Sequence, residues 1–241
     1  MSLRTMVTSK PMIDRNFSAA RLTASLFGIL AGVGGLVHGI GEVLQGNVRP
    51  EGIIVNSWTV GPIATNMGGE PGMTIVPSLL VTGILTVLVS LAIVVWSAAF
   101  MRDRTAGRIL LLLSVIMLLV GGGFGPPIIG ILAGVAGTGI GRPSPWWRSR
   151  LSRGVWGSLA ALWPWIFAIA VANGLFLVIG SLVLVYLFDL NMPDLFVVSF
   201  FFAVVSLSLT LVVGRGYDVQ GTRCPAPDRR PSGVPQGQGL G

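Results

Sequence analysis

One histidine and one glutamate, His38 and Glu42, stand four residues apart inside an otherwise apolar run. On a helix that spacing sets both side chains on one face. An imidazole and a carboxylate so placed can pass a proton or hold a cation. Gly34, Gly35, Gly39 and Gly41 surround the pair and let neighbouring backbones come close. The other reading is that His38 and Glu42 only anchor the end of a helix at the outer headgroup level, hydrogen-bonded to the loop that follows. Two ligands fall short of the three or four a zinc site needs, so no metal is expected.

Two further features belong to the same chemistry. Glu70 lies in "NMGGEPGMTIVP" (Asn66 to Pro77), where glycines and proline mark a tight turn. It is read either as a third partner for His38 and Glu42 or as a solvated turn residue. "VGGGFGPPIIG" (Val120 to Gly130) breaks a long uncharged stretch. Gly121, Gly122, Gly123 and Gly125 weaken a helix, and Pro126 and Pro127 can open a new one but not continue the old. Such breaks expose backbone groups to ions in transporters, or serve as plain hairpin turns.

The elements that must position these residues follow from composition. Of 241 residues, 52% are apolar and 10% charged, and the mean hydropathy is +0.81. A soluble domain carries about 25% charged residues, so most of this surface must face lipid. Apolar runs of roughly 20 residues suffice to span a bilayer. They occur at 22–44, 75–100, 155–188 and 195–214, with an outer loop at 45–74. The run at 22–44 is too long for a signal-peptide core and is read as an uncleaved first span. The broken stretch yields two arms, 109–120 and 128–140, each about 18 to 20 Å long.

Whether the broken stretch crosses once or doubles back is decided by the basic residues, which collect on the cytoplasmic side. If it doubles back, fifteen of the sixteen Lys and Arg residues face the cytoplasm and only Arg49 lies outside. If it crosses once, the division is seven against nine. The expected fold is therefore an all-α polytopic membrane bundle. It has about six embedded segments, a broken or re-entrant hairpin at 109–140, and both termini cytoplasmic. Trp96, Trp146, Trp147 and Trp156 fit an interfacial belt, and Trp163 and Trp165 flank a bend at Pro164. Residues 1–15 and the Gly/Pro/Arg-rich 216–241 are expected to be disordered.

"GILAGVGG" (Gly28 to Gly35) and "GILAGVAG" (Gly130 to Gly137) match at seven of eight positions. Gly28 with Gly32, and Gly130 with Gly134, are small-xxx-small pairs suited to helix packing. Asn173, alone in an apolar run, is expected to bond to a neighbouring helix. The Ser and Thr residues of the second and last spans are expected to bond back to their own backbones.

A single cysteine, Cys224, excludes an internal disulfide, and a single histidine excludes bis-histidine haem. No nucleophile–base pair is evident, so catalysis is not expected, nor is a cofactor or nucleic acid. The expected partners are the bilayer, anionic headgroups at the cytoplasmic face, and a partner membrane protein or a second copy. Two functions fit: a small transporter with a proton- or cation-handling site on its outer half, or a non-catalytic subunit or scaffold. The location is the membrane, in a prokaryote the plasma membrane.

Overall fold

The computed structural model describes residues 18–141 and 153–221. Trp146, Trp147, Arg142, Arg148, Arg150, Cys224 and the two terminal segments up to residue 17 and from residue 222 lie outside the described residues.

Among the described residues, eight α-helices carry the fold: α1 (Ala19–Gln45), α2 (Pro62–Met67), α3 (Leu79–Ala99), α4 (Arg104–Leu119), α5 (Gly125–Gly137), α6 (Arg153–Leu175), α7 (Ser181–Phe188) and α8 (Pro193–Gly221). A π-helical turn, Phe176–Gly180, joins α6 to α7. Two three-residue strands, β1 (Ile54–Asn56) and β2 (Pro71–Met73), pair antiparallel inside the long loop, so that segment is folded rather than a spacer. Among the described residues, four helices are long and apolar enough to cross a membrane: Ala19–Gln45, Leu79–Ala99, Gly154–Phe188 and Pro193–Val219. Their outward side chains include Leu88, Trp165, Leu187, Phe188, Phe201 and Phe202, all exposed. So much contiguous apolar surface is foreign to water-facing monomers.

The helix ends follow local chemistry. Ser18, Ser78 and Asp103 cap α1, α3 and α4 by accepting hydrogen bonds from backbone N–H groups three residues on. The Asp103 cap starts α4 at Arg104, five residues before the uncharged stretch begins. Pro126 and Pro127 occupy the first turn of α5, where a missing N–H costs nothing, so α5 begins at Gly125 rather than Ile128. The last helix runs to Gly221, beyond the expected limit of 214. Asp218 holds it there by accepting from Ala19 N–H at 2.7 Å, Ala20 N–H at 3.1 Å and the Ser18 hydroxyl at 3.1 Å. Asn173 donates to Ser199 O on α8 at 2.9 Å.

Glycines set the helix pairing. A Cβ at Gly32 would meet Ser90 O and Val94, and one at Gly39 would meet Gly83 O, so α1 and α3 lie antiparallel with backbones nearly touching. On the second pair, Gly107 faces Gly137, Gly134 faces Leu111 and Gly130 faces Ser114, so α4 and α5 also run antiparallel. The two similar octapeptides thus do one job. Each lays a glycine stripe on an antiparallel neighbour, with serine hydroxyls (Ser97 and Ser90, or Ser114) seated over the glycines.

These pairings sort the ends of the bundle. The start of α1, the end of α3, the start of α4 and the end of α5 meet at one end. The start of α6 and the end of α8 join them there through Gly216 against Leu159. Arg21, Arg102, Arg104 and Arg108 are exposed at that end. The opposite end is covered by the 46–78 segment. It bonds to α4 through Ile75 N–H and Leu119 O at 3.1 Å, and to the α7–α8 turn through Asn66 and Asp189 at 2.8 Å.

Candidate functional site

Helix length alone puts Glu42 near a surface, but it is completely buried, and His38 and Glu70 are nearly so. The 46–78 segment makes the difference. Gly41 has no side chain, so Ser57 O and the Trp58 indole rest on α1 where a Cβ would stand. Ser57 N–H bonds to Glu70 O at 3.2 Å and Trp58 N–H to Gly69 O at 3.0 Å, drawing the Glu70 turn over the same spot. Gly68 and Gly69 have φ of 76° and 78°, and Glu70 itself takes φ 51°, a region that a residue with a Cβ rarely occupies. The reading of Glu70 as a solvated turn residue is therefore replaced by that of a buried one. His38, Glu42 and Glu70 come together.

The glycine–proline break supplies the fourth wall. Gly121 and Gly123 have φ of 110° and 75°. A Cβ at Gly121 would strike both carboxylate oxygens of Glu42 at 2.6 Å, and one at Gly123 would strike the His38 ring. Gly122 packs on Met117. Gly125 and Pro126 line a cavity beside His38, and Pro127 is buried. Gly28, Gly32, Gly130 and Gly134 contribute packing and stand apart from the site.

Ser57 and Thr86 are the members the sequence did not single out. Ser57 Oγ lies 3.0 Å from His38 Nδ1 and donates to Glu42 Oε1 at 3.3 Å. A hydroxyl has one hydrogen. With it directed at Glu42, Ser57 must accept from His38 Nδ1–H, which fixes the ring tautomer. Thr86 Oγ1 has two acceptors in reach, Val120 O at 2.8 Å and Glu42 Oε2 at 3.5 Å. The nearer takes the hydrogen, so the Glu42 approach becomes a hydrogen bond when Glu42 itself carries a proton. Thr82 faces Thr74 at 2.9 Å. The expectation of own-helix bonding thus fails for Thr82, Thr86 and Ser90, the last donating to Met117 Sδ on α4 at 3.4 Å, whereas Ser206, Ser208 and Thr210 follow it. A signal for Thr82 and Thr86 was present in their four-residue spacing, which puts both on one face of α3. Ser57 carried none.

At the other end of this row, His38 Nε2 stands 3.4 Å from Glu70 Oε2 without hydrogen-bond alignment, and that buried oxygen has no hydrogen-bond partner. Chemically the row is ordered. A proton taken up at His38 Nε2 releases the Nδ1 proton to Ser57, whose own hydrogen passes to Glu42. Glu42 ends the row, because the Thr86 hydrogen is committed to Val120 O, which has none to return. Among the described residues no three His, Cys, Asp or Glu side chains form a group that could hold a metal ion.

The fold and site define an all-helical protein whose apolar helices are compatible with a membrane, with one buried polar row under a folded cap. Compared with known proteins, the chain matches no family model, no curated protein and no solved structure.

Proposed function

We propose that this is a multi-pass membrane protein with six embedded segments, its arginine-bearing end and both termini in the cytoplasm, and that it moves a proton or cation through the site at its capped end. The observation that carries this reading is the buried row His38–Ser57–Glu42 beside Glu70. Ionisable groups inside a span are expensive, and burying two carboxylates and an imidazole together has no packing benefit that Leu or Met would not match. The hydrogens along the row are ordered so that a proton can be taken up at His38, held on Glu42 and given up again by the same steps in reverse, as the loading site of a carrier. Among the described residues, the charge-bearing groups facing it are its own members: α3 presents Thr82 and Thr86, and the 121–123 turn presents backbone.

The arrangement also weighs against a scaffold. The small-residue faces that would receive a partner helix, Gly28 with Gly32 and Gly130 with Gly134, are already occupied by α3 and α4.

The test is proton flux in proteoliposomes carrying a pH-sensitive dye, under an imposed potential. Wild type should exceed empty vesicles, and Glu42→Gln should lose at least tenfold while eluting as a single folded species. Flux no greater than that of empty vesicles, or unchanged in Glu42→Gln, refutes the relay.

A further inference from the structure

A cavity of about 270 Å³ opens beside His38 and Glu70, between α1, α5, the π-helical turn and α8. Its shape is read from α1. Phe27, Leu30, Ala31, Gly34 and His38 line it on one face of that helix, so it runs about 16 Å along the axis at 1.5 Å per residue. Its volume equals about nine waters of bulk liquid at ~30 Å³ each, enough for one linear chain of roughly that many non-hydrogen atoms.

Its chemistry is one-sided. Among the described residues, His38 and Glu70 are the only lining residues with polar side chains, no Lys or Arg reaches it, and the remainder is apolar. Glu70 is nine-tenths buried, and its Oε2 has no hydrogen-bond partner. A buried carboxylate oxygen without a donor is unfavourable, and a donor that arrives from elsewhere would relieve it. An anion would meet the Glu70 carboxylate with no Lys or Arg among the described lining residues to offset it. Phe124, Phe196 and Phe200 are among the lining residues, and aromatic rings attract a cation seated over them. Leu177 and Val178 of the π-helical turn form part of the wall, and π-turns are irregularities concentrated at functional sites.

We infer that this cavity binds a linear hydrophobic ammonium ion, its chain along α1 and its N–H groups on Glu70. The inference deepens the relay reading by naming the substrate class, and rests on it for any coupling of the two: an ammonium on Glu70 sets a positive charge beside His38 Nε2 and opposes the uptake of a proton there. Binding itself can be measured without flux.

The experiment uses the full chain in phosphatidylglycerol nanodiscs with radiolabelled octylammonium, subtracting uptake by empty discs. A saturable component is expected, weakened at least tenfold in Glu70→Gln and in Val178→Trp, which fills the slot. It should be resisted by equimolar octanol and octanoate and retained in Glu42→Gln. No saturable component, affinity within threefold of wild type in Glu70→Gln, or equal competition by octanoate overturns the proposal. Should Glu70→Gln fail to fold, the competition series on wild type decides alone. Discs containing phosphatidylethanolamine identify the source. Competition assigns a lipid headgroup ammonium and its absence a free amine, and either upholds the site. Binding without proton flux sinks the relay and leaves this site standing; flux without binding does the reverse.

Discussion

Gly121 and Gly123 show how one atom can be excluded twice. Each has a positive φ, and each would aim a Cβ at a site side chain, Glu42 or His38. Gly68 has φ 76° but open space around it. Gly68→Ala should therefore carry only the backbone term, about 1–2 kcal/mol. Gly121→Ala and Gly123→Ala add a clash and should lower the thermal midpoint distinctly further. Equal midpoints for the three variants would remove the claim that the break is moulded to the polar row. Thr86 permits a second comparison. Thr86→Val strips the donor from Val120 O and the partner from Glu42, a loss of about 1–3 kcal/mol for buried groups left unpaired. Ser208→Ala removes a hydroxyl that bonds only its own helix and should be nearly neutral in the same melting assay.

Among the elements, two contacts decide which helices are neighbours. Gly107 lies against the Gly137–Thr138 backbone, so any side chain there must part α4 from α5. Gly107→Leu should abolish the folded species on size exclusion, whereas Gly141→Leu, with nothing within 4 Å of its Cβ position, should be tolerated apart from its φ of 80°. Asp218 acts differently, drawing the end of α8 onto the first turn of α1. A carboxylate there also opposes the positive end of the helix dipole. Asp218→Ala should cost about 1–3 kcal/mol, and hydrogen exchange should quicken first at Ala19 and Ala20. Uniform quickening along α1 would mean the contact is incidental.

At the scale of the whole molecule, the helix ends divide into an arginine end and a capped end. In a Cys224→Ser background, cysteines replacing Arg49 and Asp103 test the orientation, since both positions are exposed. An impermeant maleimide added to intact cells should label position 49 and leave position 103 untouched until the membrane is opened. Labelling at 103 from outside would reverse the bundle, and labelling of both would end the proposed topology.

How much of this was legible beforehand depends on the range of the forces involved. Long apolar runs, capping residues, the glycine–proline break and the His38/Glu42 spacing are local, and local chemistry can be read along the chain. The similarity of residues 28–35 to 130–137 was visible too, but its use was not, since glycine stripes do not name their partners. Tertiary structure alone settled where Glu42 lies, because burial depends on the 46–78 segment closing over Gly41. It alone recruited Ser57 and Thr86, ordinary residues until a carboxylate stands beside them. It also put a slot next to Glu70, for an empty space has no residue of its own to announce it.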